Sequence, residues 1–129
     1  ANTNHPVIDI LPEQKKNIKE KNYGATMRLG DYPAKLKRGS KVMQMYGGEE
    51  AKERPRHRYE VNPDYIEVLE KNGLVFSGAS PDRRLMEFME LPGHPFFVGT
   101  QAPPEFTSKA LYPNPLYVGF IKACLERKK

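Results

Sequence analysis

The residue types best suited to chemistry are concentrated in residues 53–61, which hold three arginines and one histidine. The cations are Arg54, Arg56 and Arg58, and His57 lies between the last two. A guanidinium group can bind a carboxylate or a phosphate through two parallel hydrogen bonds, so clustered arginines suit an anionic ligand. The composition leaves two interpretations open: a binding site for an anion, or a basic edge that is only solvated.

A second candidate stretch is residues 99–106, which read Gly-Thr-Gln-Ala-Pro-Pro-Glu-Phe. This stretch follows the most apolar run of the chain, residues 95–98, and breaks into the paired prolines Pro103 and Pro104. The pattern predicts a buried strand that delivers a loop to one edge of a sheet. Because α/β proteins bind their ligands at such edges, we expect this loop to carry part of a site.

The single cysteine, Cys124, excludes a disulfide framework and a paired-cysteine metal site. It falls on the apolar face of the predicted closing helix, where we expect a buried structural thiol. No metal site and no cofactor are predicted for this chain. Cysteine usage of this kind predicts a reducing, cytosolic setting.

Length and composition limit the classes of protein that the chain can belong to. Its 129 residues make one domain or part of one. Hydrophobic residues make up 38%, which is low for a domain that must cover both faces of a sheet, so the fold is loop-rich or a partner surface is missing. The formal net charge is +5, but the cations are scattered among 16 acidic residues, so a nucleic-acid partner is not expected.

The ends of the chain and its longest apolar runs carry further expectations. No run approaches the roughly 18 apolar residues of a membrane-spanning helix, so no membrane partner is predicted. The sequence begins at Ala1 rather than at Met, which predicts a start inside a longer protein or after processing.

Periodicity and turn residues predict alternating helices and strands along a single domain over residues 1–129. Residues 13–22 are rich in Lys, Glu and Asn and predict a mobile charged connection. Three helices are predicted, with Ser40, Asn62 and Asn114 as N-caps; the last carries Leu116, Phe120, Ile121, Cys124 and Leu125 towards a core. The predicted strands lie near residues 6–11, 23–33, 59–61, 74–78, 85–91 and 95–98.

Four motifs in order resemble the C-terminal glutaminase domain of the CTP synthase family, a class I glutamine amidotransferase domain. They are residues 24–30, 53–62, 94–98 and 101–106, and they cover nearly the whole chain. The resemblance implies a partial α/β domain with a mostly parallel sheet flanked by helices. It also implies an enzyme that makes CTP from UTP, ATP and glutamine, with ammonia released by this domain. It reaches only about the C-terminal half of the domain, since the nucleophile elbow, the oxyanion-hole loop and the synthase domain with its ATP and Mg would lie upstream.

The resemblance also assigns roles to residues of this chain. Arg58 matches the residue that holds the carboxylate of the substrate glutamine, and Tyr59 lies beside it. Glu105 matches the acid of a Cys-His-Glu triad, whereas Pro103 occupies the position of the triad histidine. A second family histidine is replaced by Pro55, a change expected to be tolerated on an edge strand. The isolated chain is therefore expected to be catalytically inactive.

The partners implied by the resemblance are glutamine, the missing N-terminal part of the same domain, and a synthase domain through which the family forms homo-oligomers. A different interpretation is a degenerate amidotransferase-like subunit that binds an amino acid or a partner chain without chemistry. A third, a basic RNA-binding protein, would require an affinity for RNA that falls steeply with salt.

Overall fold

The structure is a computed structural model that describes residues 3–10 and 30–127. The predicted charged connection at residues 13–22 and most of the strand predicted near residues 23–33 lie outside these ranges. Seven strands and three α-helices are present within the described part of the chain. The strands are β1 (Ile8–Ile10), β2 (Tyr32–Leu36), β3 (Glu50–Glu53), β4 (Tyr59–Val61), β5 (Val75–Ala79), β6 (Met86–Glu90) and β7 (Val98–Thr100). The helices are α1 (Lys41–Tyr46), α2 (Pro63–Lys71) and α3 (Pro115–Glu126), and a single 3₁₀ turn covers Pro104–Phe106.

The described strands form two sheets. The main sheet has the order β3-β2-β5-β6-β7, and β1 pairs with β4 in a separate two-stranded sheet. Every pairing is antiparallel, which corrects the expected mostly parallel arrangement for this part of the domain. For two of these pairs the reason is connection length: β5 and β6 are joined by residues 80–85, and β6 and β7 by residues 91–97. A parallel pair needs a crossover of about a dozen residues or more, which these connections cannot provide.

The predicted helix boundaries are confirmed. The Ser40 hydroxyl accepts a hydrogen bond from the backbone N–H of Met43 at 3.1 Å, and α1 ends at Gly47 in the left-handed conformation with φ 71°. The other two helices begin at an asparagine cap followed by proline, and the side chains of Asn62 and Asn114 accept from the second backbone N–H after each cap. These caps are local in sequence, so a short pattern is enough to locate them.

Two strand expectations are wrong: the edge strand expected around Pro55, and the strand expected at residues 95–97. Residues 54–58 are not a strand, because β3 ends at Glu53 and β4 begins only at Tyr59. Pro55 is buried in the segment between them and therefore does not lie on an edge strand. A proline cannot donate to a ladder, which is consistent with the break in pairing at this point. Residues 95–97 likewise precede β7 rather than form it, and Phe97 is 41% exposed.

The core lies between the main sheet and helices α1 and α3. Its buried members are Ala34, Leu36, Val42, Ala51, Phe88 and Leu116. Only the first turn of α3 reaches this core, since Phe120, Ile121 and Leu125 are 49%, 55% and 60% exposed. Cys124 is also exposed, so the expected buried thiol is wrong. Helical periodicity identified an apolar face on α3, but within the described part of the chain only the first turn of this face reaches the buried core.

A buried polar cluster joins β3 to α1, to the loop after β7 and to α3. The Glu53 carboxylate accepts hydrogen bonds from the Tyr46 hydroxyl, from Thr107 Oγ1 at 2.7 Å and from Asn114 Nδ2 at 2.8 Å. Glu53 is 5% exposed and Asn114 is 2% exposed. Burial and the adjacent carboxylate both raise the pKa of Tyr46, so this phenol stays a hydrogen-bond donor throughout the ordinary pH range.

Replacing Glu53 by glutamine should destabilise the chain by about 1–3 kcal/mol, because an amide presents one acceptor oxygen where the carboxylate presents two. The measurement is the free energy of unfolding from urea titration. Glu50→Gln, on the same strand but in an exposed pair with Lys35, is the matched control and should change stability by less than about 0.5 kcal/mol. Equal effects of the two substitutions would contradict the assigned role of Glu53.

Gly119 allows α3 to approach α1 closely. A Cβ added there would collide with Met45 Sδ and would lie 3.0 Å from Met45 Cγ and 3.3 Å from Phe96 Cε2. We therefore expect Gly119→Ala to destabilise the chain by about 1–3 kcal/mol, although alanine is the better helix former. In a Met45→Ala background the same substitution should be neutral or stabilising, and thermal unfolding of the four variants tests this reversal. A loss of stability that is the same in both backgrounds would show that contact with Met45 is not the cause.

Candidate functional site

The two stretches singled out by sequence meet where β4 faces the loop that follows β7. Gln101, the first residue after β7, donates from Nε2 to Glu60 Oε2 at 3.0 Å and to the Tyr59 carbonyl oxygen at 3.5 Å. These contacts join residues about forty positions apart in sequence and connect the main sheet to the small one. The arginine-rich region and the loop that carries Pro103 and Glu105 therefore belong to one surface.

Arg58 and Tyr59 lie at the start of β4. Arg58 is half-buried immediately before the strand, and Tyr59 is 55% exposed and pairs with Ile10 in the two-stranded sheet. Arg54 and Arg56 are exposed, and Arg54 forms an ion pair with Asp31 at 3.3 Å. The cluster therefore divides into two exposed arginines and one, Arg58, that is partly enclosed next to the contact with Gln101. Partial enclosure strengthens the attraction of a guanidinium for a carboxylate ligand.

His57 and Glu60 form a buried pair beside Arg58. His57 Nε2 lies 2.5 Å from Glu60 Oε1, and the two side chains are 13% and 5% exposed. The sequence predicts a basic cluster around His57 and gives Glu60 no role. The available signal was that Glu60 lies inside the strand predicted at residues 59–61, where a carboxylate on the inner face needs donors within the protein.

Pro103 immediately precedes the 3₁₀ turn, and Glu105 lies within it. Pro103 has φ −64° and ψ 114° and is half-buried, and its carbonyl oxygen accepts from the Phe106 N–H at 3.2 Å. Glu105 is exposed and makes no hydrogen bond or ion pair with residues 3–10 or 30–127. A carboxylate is thus available at this edge, but Pro103 offers no side-chain group that could accept a proton.

This arrangement supplies a cation, two carboxylates and an imidazole to one edge of the fold. Within the described ranges no group of three or more His, Cys, Asp or Glu residues could hold a metal ion. No helix of that part of the chain is long and apolar enough to cross a membrane. Cys124, the only thiol, lies on α3 rather than in the β4 contact with the loop. These groups are chemically suited to an anionic ligand, and the described residues bring no thiol to them.

Comparison with known proteins places these features in a family. The model of the family described as glutamine amidotransferase class-I matches residues 5–123. A CTP synthase from Methanococcus maripaludis is 54% identical over 97% of this chain, and one from Rubrobacter xylanophilus is 56% identical over 95% of it. The chain spans only 23% and 22% of the lengths of these two relatives.

A solved structure shares the fold. It is the Trypanosoma brucei CTPS glutaminase domain with bound acivicin, which is 32% identical and superposes with a TM-score of 0.83 over 97% of this chain and 48% of its own. The expected resemblance to a CTP synthase glutaminase domain and the expected α/β class are both confirmed. Because the family match extends over nearly the whole chain, this protein belongs to the class I glutamine amidotransferase family.

Proposed function

We propose that this chain is the C-terminal part of the glutamine amidotransferase domain of a CTP synthase, whose task is to supply ammonia from glutamine for the amination of UTP to CTP. The observation that carries the proposal is the identity of more than half of the aligned residues to CTP synthases across 95–97% of the chain. The nucleophilic cysteine, the oxyanion hole and the synthase domain with its ATP and Mg belong to the upstream part of such an enzyme. Homo-oligomers and a cytosolic setting are part of the same proposal.

In this proposal Arg58 holds the carboxylate of glutamine, and Tyr59 forms part of the same binding edge. Arg58 is the partly enclosed member of the arginine cluster and lies next to the contact between β4 and Gln101. Two parallel hydrogen bonds from a guanidinium would fix both the position and the direction of an amino-acid carboxylate. Arg54, Arg56 and His57 contribute positive potential or packing.

Glu105 is the acid of the triad in this proposal, and Pro103 stands where its histidine would be. A triad needs a base that takes the proton of the thiol and later returns one to the leaving ammonia. An imidazole suits both steps because it titrates near neutral pH, whereas proline has neither a side-chain acceptor nor a backbone N–H. Glutamine hydrolysis is therefore disabled at this residue, and CTP formation from free ammonia is not.

The exposed apolar face of α3 supports the expectation of a missing partner segment. Phe120, Ile121 and Leu125 are each about half exposed or more, which is unusual for a helix that ends a compact domain. The solved glutaminase domain is about twice as long as the matched region, since the chain covers 48% of it. The N-terminal part of the same domain is the proposed partner.

A second candidate function is a binding or interaction subunit that has kept the amidotransferase fold without its chemistry. The observation that favours it is Pro103, because a subunit that only binds has no need of the base. The two functions differ in what a histidine at position 103 would restore. It would restore hydrolysis in a disabled glutaminase and would change nothing in a subunit that lacks the rest of the machinery.

Arg58→Ala should weaken glutamine binding by about 2–5 kcal/mol, the range for loss of one partner from a desolvated charge pair. The protein for this measurement is a chimera in which the present chain replaces the matched region of the Methanococcus maripaludis CTP synthase, and calorimetry gives the affinity. Arg56→Ala, which removes an exposed arginine of the same cluster, is the control and should have little effect. An unchanged affinity in the Arg58 variant would remove this residue from the site.

Pro103→His in the same chimera should raise the glutamine-dependent rate of CTP formation by at least about 10³-fold, the order lost when a triad member is removed. The ammonia-dependent rate should stay the same, because free ammonia bypasses the triad. Pro103→Ala removes the ring without supplying a base, so it should remain as inactive with glutamine as the parent. If the parent uses glutamine as well as the histidine variant does, another base acts at this edge and the triad argument fails.

A further inference from the structure

We infer that Glu60 is a positioning residue of this site: its carboxylate holds the His57 ring and the Gln101 side chain together, and so fixes the loop of Pro103 and Glu105 relative to Arg58. The inference rests on the proposed function, because it concerns the geometry of the proposed glutamine site. Neither the sequence pattern nor the family resemblance assigned a role to Glu60 or to Gln101.

The first step of the argument is the burial of Glu60. The residue is 4% exposed, and each carboxylate oxygen has its own partner: His57 Nε2 at 2.5 Å on Oε1 and Gln101 Nε2 at 3.0 Å on Oε2. A buried carboxylate is costly unless donors satisfy it, so both partners are held to it in the folded state. Glu60 therefore fixes one residue before β4 and one residue after β7.

The second step is that neither partner can easily turn away. His57 Nδ1 is buried and has no hydrogen-bond partner within the described residues, so the contact through Nε2 is what orients the ring there. The amide nitrogen of Gln101 faces two acceptors, Glu60 Oε2 and the Tyr59 carbonyl. Turning the amide over would place its oxygen against both of them.

The third step is the short chain between Gln101 and the proposed triad positions. The backbone N–H of Gln101 donates to the Glu87 carbonyl at 3.0 Å, so its main chain is held by β6 while its side chain is held by Glu60. Only Ala102, which is 4% exposed, separates Gln101 from Pro103. Because so few residues intervene, a displacement of Gln101 should also displace the 3₁₀ turn that contains Glu105.

These contacts give Glu60 and Arg58 different roles, Glu60 in positioning the loop and Arg58 in binding the substrate. Glu60 orients the loop that would act on the scissile amide, whereas the carboxylate of glutamine is assigned to Arg58. A misplacement of about 1 Å in a catalytic group can cost about 10²-fold in rate without removing the binding contacts. Loss of the Glu60 carboxylate should therefore lower kcat for glutamine far more than it raises KM.

The test uses the chimera described above in its Pro103→His form. Glu60→Gln should lower kcat with glutamine about 10- to 100-fold, change KM less than about threefold and leave the ammonia-dependent rate intact. Glu67→Gln on α2 removes an exposed carboxylate that pairs with Lys71 and serves as the matched control without effect.

Two results would overturn the inference: an unchanged kcat in Glu60→Gln, or an equal loss of the ammonia-dependent rate. If the Pro103→His form fails to use glutamine, the triad proposal fails on its own, and the inference is decided by hydrogen exchange in the Pro103 form. Glu60→Gln should then speed exchange at the Phe106 and Thr107 amides, which donate to Pro103 and Pro104, about tenfold without changing exchange in β5 and β6. Unchanged exchange at these two amides would overturn it.

Discussion

The buried carboxylate of Glu53 is the constraint on which most of the long-range structure depends. A carboxylate removed from water must find donors inside the protein, and in the described residues these are hydroxyl and amide groups rather than a cation. They come from α1, from the loop after the 3₁₀ turn and from the cap of α3. One acceptor on β3 thus fixes three elements, the farthest of which lies 61 positions from it in sequence. Asn114 is doubly used, because its Nδ2 serves Glu53 while its Oδ1 caps α3.

Buried carboxylates accept hydrogen bonds in the same way on two other strands. Glu90 on β6 accepts from the backbone N–H groups of Lys41 and Val42 at 3.0 and 3.2 Å, which satisfies two of the free donors at the start of α1 and places a negative charge at its positive end. Glu60 on β4 holds His57 and Gln101. In each case a strand carboxylate points inward and binds a loop or helix end. The polar residues of the strands are therefore part of the interior and not only of the solvated face.

Sequence predicted the features whose causes are local and missed those whose causes are distant. The caps at Ser40, Asn62 and Asn114 depend on residues within three positions, so a short pattern located all three helices. The strand predicted near residues 85–91 is present as β6, and both of its faces are covered, since Glu87, Phe88 and Glu90 are all buried. The expected parallel direction was wrong, and for β5, β6 and β7 the cause is local, because the short connections between these strands require antiparallel pairs. Strands β2 and β3 were missed because Pro33 in β2 argues against a strand and β3 is short and charged.

At the candidate site, too, the sequence predicted local features and missed distant contacts. Residue types alone drew attention to the arginines and to the 99–106 loop, but the contact between them depends on Gln101 reaching a carboxylate 41 positions away, which no local pattern encodes. At Cys124 the sequence predicted a buried thiol, whereas the structure shows an exposed one. An apolar face on a helix does not reveal which surface, if any, will cover that face. Site residues were therefore recognisable by chemistry, and their mutual placement required the tertiary structure.

The structural role of Pro103 can be separated from its chemical role. Its φ of −64° is the value that the pyrrolidine ring imposes, and its carbonyl still accepts the N–H of Phe106 that starts the 3₁₀ turn. The described turn does not need the N–H that proline lacks, because its hydrogen bonds are accepted by the carbonyl oxygens of residues 103 and 104. The backbone at this position thus accommodates proline without strain, and Gln101 and Thr107 on either side keep their contacts to buried carboxylates. A base can be absent here while the loop that would present it remains in place, because the groups that hold the loop are not the groups that would carry out the proton transfer.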